Sequence, residues 1–493
     1  MNNKSKNPIS KTIYDIPEIL DDSLNIDKFL SNHPNKKLIV VQGLGFVGAV
    51  MSLVCANSKN EEYVVVGIDL PTTESYWKIR SINEGIFPII SADKKVDEYF
   101  QNTIRDNNFY ATYDPYIYSK ADVIIVDINL DVQKQMDHIH ADELVDYSVN
   151  LDGFKNAIRT IGKNCKEDIL ILVETTVPPG TTILAKNIVE NLLSKRGLKK
   201  DKIKIGHSYE RVMPGPNYID SIQNFYRVYS GVNKYSADHV EEFLKTIISI
   251  DEYPLTRLKN TNSTEMSKVL ENSFRAMNIA FMVEWSRYAE ESEVDLYEVV
   301  EAIRMRPTHK NIMLPGIGVG GYCLTKDPLL ASWSKKNIFS SDHPLVMSET
   351  AVTTNDKMPL YAYNYLKESI PEGNLKDKKI FLLGVSYAPD VGDTRYSPVE
   401  LLCKLLIGSG SILHLHDPFI TYWDELNIDV NDDFDNLTES TDIVIISTGH
   451  SVYKNNESLI CKLMKYKNIV IFDTIGILNK QAIKKLSTRH TVK

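Results

Sequence analysis

The chain has 493 residues, with 56 Lys and Arg against 65 Asp and Glu for a net charge of −9, and it is 43% hydrophobic and 25% charged. This is ordinary globular composition, enough for about three domains, and the acidic balance argues against nucleic acid or an anionic membrane as the main partner. The five cysteines, Cys55, Cys165, Cys323, Cys403 and Cys461, are scattered without a CxxC pair. That argues against a disulfide framework or a zinc site and suits a reducing cytosol. No run reaches the roughly 18 apolar residues of a membrane span, so a cytoplasmic, metal-free protein is expected.

Residues 1–36 read as a polar extension with a short helix near Ile26–Leu30. The apolar run Lys37–Gln42 leads into Gly43-Leu44-Gly45-Phe46-Val47-Gly48, a helical pattern follows, and Tyr63–Leu70 is a second buried strand carrying Asp69. This is a βαβ unit with a dinucleotide fingerprint. Gly43 permits the tight turn, Gly45 lets phosphate approach backbone N–H groups, and Gly48 lets helix and strand pack. Asp69 lies 21 residues after Gly48, where a carboxylate accepts ribose hydroxyls and favours NAD over NADP.

Further strands are expected at Val123–Ile128, Ile169–Glu174, Ile203–Ile205 and Arg227–Gly231. Strands alternating with helices imply a mostly parallel, covered sheet. Its ligand then sits beyond the strand carboxyl ends, where Thr175–Thr182 and the glycine turn lie. Leu258–Glu291 is a long helical pattern without Gly or Pro, long enough to join domains or pair two subunits. Lys268 and Asn272 share one of its faces; from the helix alone that face reads as solvated.

Gly316–Asp327 (GIGVGGYCLTKD) packs four glycines, the thiol of Cys323, the cation of Lys326 and the carboxylate of Asp327 into twelve residues. A thiol beside a cation and a carboxylate is what covalent chemistry at sulfur needs; a tight turn around a small Cys is the plainer alternative. A helical run then reaches about Glu368. Pro371–Lys378 reads as a linker, and Lys379–Val385 opens a second α/β domain with strands near Ile412–Leu415, Ile443–Ile446 and Ile469–Phe472. Asp393-Thr394-Arg395 stands at its mouth. The expected fold is α/β, with two Rossmann-like doubly wound domains joined by a long central helix and a helical middle domain. Boundaries fall at 1–36 (extension), 37–250, 251–370 and 371–493.

The ordered motifs Gly43–Gly48, Asn83-Glu84-Gly85 with Pro88, Glu174–Thr182, Glu210–Gly215, Glu265–Asn272, Gly318–Asp327, Asn355 with Pro359, Asp393-Thr394-Arg395 with Ser397-Pro398, and His416-Asp417-Pro418 resemble the NAD-dependent nucleotide-sugar 6-dehydrogenases. That family comprises UDP-glucose, GDP-mannose and UDP-N-acetylhexosamine dehydrogenases, and Glu210–Gly215 looks more like its UDP-N-acetylmannosamine and UDP-N-acetylglucosamine branch. The resemblance implies a four-electron oxidation of a sugar C6 alcohol to a carboxylate with NAD. Cys323 is then the nucleophile, Lys268 stabilises the reacting oxygen or shuttles a proton, Asn272 donates to the same oxygen, Asp327 orients or activates water, Glu210 is the base for thioester hydrolysis, and Thr176 holds a water or contacts the cofactor. It also implies cofactor contacts from Gly43, Gly45, Phe46, Val47, Gly48, Asp69, Thr112, Thr175, Lys326 and Arg395. Substrate contacts are implied from Arg211, Lys268, Asn272, Gly320 and Gly321, and a homodimer through the central helix.

Three departures touch binding. Val126-Asp127-Ile128-Asn129-Leu130 replaces the family's Val-Pro-Thr-Pro turn. Ala388 follows Tyr387 where the family has Lys. The segment Arg304–Lys310 leaves open which cation fills the family's arginine role. Rival readings are a UDP-glucose dehydrogenase, a two-electron hydroxyacid-type dehydrogenase that needs no thiol, and a nucleotide-sugar-binding scaffold without catalysis.

Overall fold

The computed structural model describes residues 3–137, 143–212, 215–370, 373–431, 433–454 and 456–492; Met213, Pro214 and Pro371 of the segments above lie outside them. The chain forms two compact units: residues 1–133, 148–269 and 333–342 make the first, and 134–147, 270–332 and 343–493 the second. The helical middle is thus shared, residues 251–269 going with the first sheet and most of the remainder with the second.

The first unit is built on an eight-stranded sheet in the order Thr256–Arg257, Val228–Gly231, Lys204–His207, Leu170–Val173, Val123–Val126, Lys37–Gln42, Tyr63–Ile68, Phe109–Thr112. All neighbours are parallel except Lys204–His207 against Val228–Gly231. The continuous apolar runs are what a strand covered on both faces requires. Ile39, Val41, Val65, Ile125 and Leu172 share one core with Val50, Leu53 and Val54 of the helix Phe46–Ala56. The strand order reverses between Lys37–Gln42 and Val123–Val126, which opens a crevice at their carboxyl ends. The extension forms the expected helix, Ser23–Ser31, and also an unexpected hairpin, Lys4–Lys6 with Ile13–Asp15.

The second unit contains a five-stranded parallel sheet in the order Ile412–His416, Lys379–Leu383, Ile443–Ile446, Val470–Asp473, Thr491–Val492. Ile380 and Leu382 face one core, Phe381 and Leu383 the other, so this sheet too is covered on both sides. Its order reverses between Lys379–Leu383 and Ile443–Ile446. The long helix is Thr261–Glu291, and the helical run after the glycine stretch is broken into Asp327–Asn337, Val346–Asp356 and Met358–Glu368.

Helix Thr181–Lys195 in the first unit begins at Gly180, which has φ 98° and no side chain of its own to cap the helix. The free N–H groups of Gly180 and Thr182 instead donate to Glu265, at 2.7 and 2.6 Å. Burial pushes the Glu265 carboxyl from 4.5 up to about 7, against the lowering effect of those donors. A raised folded-state value stabilises the fold fully below the unfolded value, and this contribution is lost as pH rises through the folded value. The stability of the parent chain relative to Glu265→Gln should therefore fall by up to about 3 kcal/mol as pH is raised from about 4.5 to about 8. Urea unfolding of both proteins across that range measures it.

Candidate active site

At the first crevice Gly43 has φ 103°, and a Cβ there would lie 2.0 Å from the Asp127 carbonyl oxygen. A Cβ on Gly48 would lie 2.0 Å from the Gly43 carbonyl, whereas one on Gly45 would meet nothing within 4 Å. Two glycines are thus demanded by packing and the third leaves an open approach at the amino end of helix Phe46–Ala56, as a pyrophosphate requires. Asp69 accepts from Leu44 N at 3.1 Å and pairs with Lys78 at 3.3 Å. A carboxylate at this strand end fits the ribose of NAD. Thr112, expected among the cofactor contacts, is instead fully buried behind Asp69, its hydroxyl donating to Asp22 at 2.7 Å. Thr175 donates to the Ile128 carbonyl at 2.6 Å, and Thr176 is buried.

Lys268 does not lie on a solvated face. It is 7% exposed, donates to the Glu210 carbonyl at 2.9 Å, stands 3.7 Å from the Glu210 carboxylate and lies over the Tyr209 ring. Glu210, also buried, accepts from the Val212 N–H. Arg211 donates to the Tyr226 carbonyl at 2.7 Å and lies over the Tyr209 and Phe225 rings.

Beneath the crevice lies a cluster that sequence reasoning missed. Asp127, Glu174 and Arg227 are all buried, and Arg227 donates to Glu174. Burial pushes both carboxyls up; the Glu174 charge pushes Asp127 up further, while Arg227 pulls Glu174 back down. The ion pair therefore joins Glu174 and Arg227, and of the two carboxyls Asp127 is the one whose charge is opposed both by burial and by its neighbour. The substitution of Asp127 for the family turn was visible in sequence; its partners, 47 and 100 residues on, were not.

In the second unit the exposed thiol of Cys323 ends the glycine stretch. The Cys323 carbonyl accepts from Asp327 N at 2.9 Å. Asp327 is fully buried and takes Asn272 Nδ2 at 2.6 Å on one oxygen and Lys326 Nζ at 2.7 Å on the other. Lys326 is 3% exposed and lies over the Tyr322 ring, so it is an internal partner of Asp327 in this conformation. Gly320 and Gly321 press on protein: a Cβ on either would come within 2.7 Å of Tyr387. Arg395 forms a two-pronged pair with Asp393.

The second crevice is a cavity of about 260 Å³ lined by Gly316–Gly318, Ser386, Tyr387, Thr448 and Lys454 among others. Its two rims converge on Asp417, which is fully buried and accepts from Val385 N, Ser386 N, Ser386 Oγ, Phe419 N and His450 Nε2 at 2.9–3.1 Å. Burial would raise its carboxyl; the His450 and backbone donors outweigh that and hold it below the ordinary value. Arg304 is committed to the Ile312 carbonyl, while Arg306 and Lys310 are exposed. Among the described residues no cluster of metal-ligating side chains is found, and no helix is long and apolar enough to cross a membrane.

Three family models match in order: the NAD binding domain of the UDP-glucose/GDP-mannose dehydrogenase family at residues 37–249, its central domain at 262–357 and its UDP binding domain at 381–480. UDP-N-acetyl-D-mannosamine dehydrogenase of Methanocaldococcus jannaschii is 30% identical, over 91% of this chain and 94% of its own length. The enzyme of the same name from Pyrococcus horikoshii is 28% identical, over 88% and 94%. The solved structure of UDP-D-ManNAc dehydrogenase from Pyrococcus horikoshii superposes with a TM-score of 0.74 at 27% identity, covering 90% of this chain and 96% of its own.

The buried cluster makes an asymmetric prediction. Arg227→Met strands a buried carboxylate and should destabilise by about 3–5 kcal/mol. Asp127→Asn removes a charge that burial and Glu174 both oppose, keeps the side chain's shape, and should change stability by less than about 1 kcal/mol. Chemical denaturation of the two variants tests which carboxyl the Arg227 ion pair serves.

Proposed function

The chain belongs to the UDP-glucose/GDP-mannose dehydrogenase family, and on that premise we propose that it oxidises the C6 alcohol of a UDP-N-acetylhexosamine, UDP-N-acetyl-D-mannosamine first, to the carboxylate through a thioester on Cys323. It is an NAD-dependent oxidoreductase acting on a nucleotide sugar. The choice of sugar rests on the curated relatives and on the Glu210–Gly215 segment. The observation that carries the covalent step is the exposed Cys323 thiol, joined through its own carbonyl to the sealed Asp327 that ties Lys326 and Asn272.

Bound NAD supplies the hydride acceptor for each oxidation, and the turn at Gly43–Gly48 with Asp69 would hold it. In the first oxidation C6 loses a hydride and its hydroxyl loses a proton, giving an aldehyde. The Cys323 sulfur then adds to the aldehyde carbon, and the resulting oxyanion is stabilised by Lys268 and Asn272. Loss of a second hydride from that carbon leaves a thioester. Water, deprotonated by Glu210 and held by Thr176, breaks the C–S bond and regenerates the thiol, while Asp327, whose two oxygens are taken by Asn272 and Lys326, keeps those two groups in place. Arg211, Gly320 and Gly321 would contact substrate in this reading, and Phe46, Val47, Thr175 and Arg395 would contact cofactor, while Lys326 is taken by Asp327. Lys454, which lines the second cavity, is offered as the cation that Ala388 cannot provide to the nucleotide phosphates.

The enzyme is proposed to work in the cytoplasm as a homodimer. Met266, Leu270, Phe274, Phe281, Trp285 and Tyr288 run along the helix Thr261–Glu291, each at least 44% exposed. An apolar stripe of that length on a soluble chain calls for a partner, and an identical helix is the one the family supplies.

The best substrate among UDP-N-acetylmannosamine, UDP-N-acetylglucosamine, UDP-N-acetylgalactosamine, UDP-glucose and GDP-mannose should yield two NADH per sugar; one NADH would support the two-electron rival. Cys323→Ser should lose carboxylate formation by roughly a thousandfold or more while still binding NADH. Independently, Leu270→Glu with Phe274→Glu should halve the mass seen by sedimentation, and an unchanged mass would remove the helix from the interface.

A further inference from the structure

The hairpin and helix of the N-terminal extension lie against the two segments that flank Asp69. On one side, Asp22 is 7% exposed and accepts from Thr112 Oγ1 at 2.7 Å, Tyr110 OH at 2.9 Å and Asn25 Nδ2 at 2.7 Å. The Thr112 carbonyl in turn accepts from the Asp69 N–H at 3.2 Å, continuing the register in which Ile68 pairs with Thr112. On the other side, the fully buried Ser5 donates to the Thr73 carbonyl at 2.7 Å and accepts from Trp77 N at 3.0 Å. Thr73 lies in the loop after Asp69, and Trp77 is in the first turn of the helix Tyr76–Asn83 that carries Lys78, 3.3 Å from the Asp69 carboxylate. Asn7 adds a bond to Ser81 at 3.0 Å and Tyr14 one to Glu84 at 3.0 Å.

These contacts share one property. Asp22 acts on the backbone behind Asp69, and Ser5 on the loop and helix that bring Lys78 to it. A carboxylate that accepts two ribose hydroxyls must present its free lone pairs at hydrogen-bond distance and angle, and both bonds weaken steeply when it turns. Simple packing of a terminal arm would be served by apolar contacts such as Phe29 on Tyr110, whose ring centroids are 5.3 Å apart. A buried acid that gathers three donors and a buried hydroxyl that bridges loop to helix serve position instead.

We propose that the extension is part of the cofactor site: Asp22 and Ser5 are positioning residues that fix Asp69, and with it the affinity for the adenosine end of NAD and the preference for NAD over NADP. The inference rests on the reading of Asp69 as the ribose acceptor. Neither residue takes part in the steps at Cys323, so their loss falls on cofactor binding and leaves turnover intact.

The test is NADH binding by fluorescence titration, with steady-state kinetics on the best sugar nucleotide, in Ser5→Ala/Asp22→Ala. Asp22→Asn is the conservative variant, the exposed Asp21→Asn the control, and Asp69→Asn the reference. The double variant should bind NADH about tenfold more weakly, raise KM for NAD and reduce its preference for NAD over NADP. Its kcat at saturating NAD and KM for the sugar nucleotide should be unchanged. Asp22→Asn should recover part of the affinity, and Asp21→Asn should match the parent chain. Parent-like NADH affinity in the double variant, beside weakened binding in Asp69→Asn, overturns the brace alone. Parent-like affinity in Asp69→Asn overturns the ribose reading and the brace with it. Should the double variant melt below the assay temperature, the single variants Ser5→Ala and Asp22→Asn carry the same comparison, with equal NADH affinity to the parent again overturning the proposal.

Discussion

A carboxylate sealed from water must be given partners, and most of the architecture around both crevices follows from that requirement. Asp327, Glu174, Glu265 and Asp417 are all fully buried. Each closes a gap between segments far apart in the chain: Asp327 to Asn272, Glu174 to Arg227, Glu265 to the start of the helix at Gly180, and Asp417 to Val385, Ser386 and His450. Separating a buried carboxylate from its only cation or donors costs several kcal/mol. Loops tethered in this way cannot drift, so the geometry that a ligand needs exists before the ligand arrives.

The same logic sorts the cysteines. Cys55 and Cys403 are fully buried, and burial pushes their thiols up, which keeps them protonated and inert. Cys323 stands in the open at the end of a rigid turn, with the buried cation of Lys326 three residues on. The protein hides acids and cations and exposes the sulfur, which is the arrangement a nucleophile must have if a substrate carbon is to reach it.

What could be read from the chain was what is local. The fingerprint at Gly43–Gly48, the acid at Asp69, the long helix ending at Glu291 and the strands of both sheets announce themselves by spacing and by runs of apolar residues. Long-range partners were not legible. From the helix pattern alone Lys268 reads as solvated, and only the family resemblance marks it for the site; the fold shows Tyr209 and Glu210 beneath it. Asp127 is visible as a departure, but not as a buried acid beside Glu174. The hairpin Lys4–Lys6 with Ile13–Asp15 was missed because strands of three residues carry a single inward side chain each, Ser5 and Tyr14, too little for a period of two to register. Thr112 was assigned to the cofactor, whereas its hydroxyl is spent on Asp22, a residue in the segment that looked dispensable.

The glycine stretch gains a second meaning from its neighbours. A Cβ at Gly318 would meet Pro398 at 3.0 Å, one at Gly320 would meet Tyr387 at 2.6 Å and Pro398 at 2.8 Å, and one at Gly321 would strike the Tyr387 ring at 2.7 Å. Tyr387 and Pro398 also line the cavity at the second crevice. The backbone that presents Cys323 is therefore in van der Waals contact with the wall of the proposed nucleotide pocket, with no side chain between them to absorb a shift. Ser386, next to Tyr387, is held by Asp417, so that wall is itself anchored. A change at the pocket wall and a change in the position of the thiol are then one movement, because close-packed atoms transmit displacement where a looser contact would dissipate it. Gly320 is required for the absence of a side chain, Gly318 and Gly321 for that and for their positive φ, and the position of the Cys323 sulfur is set by what Tyr387 and Pro398 place against its turn.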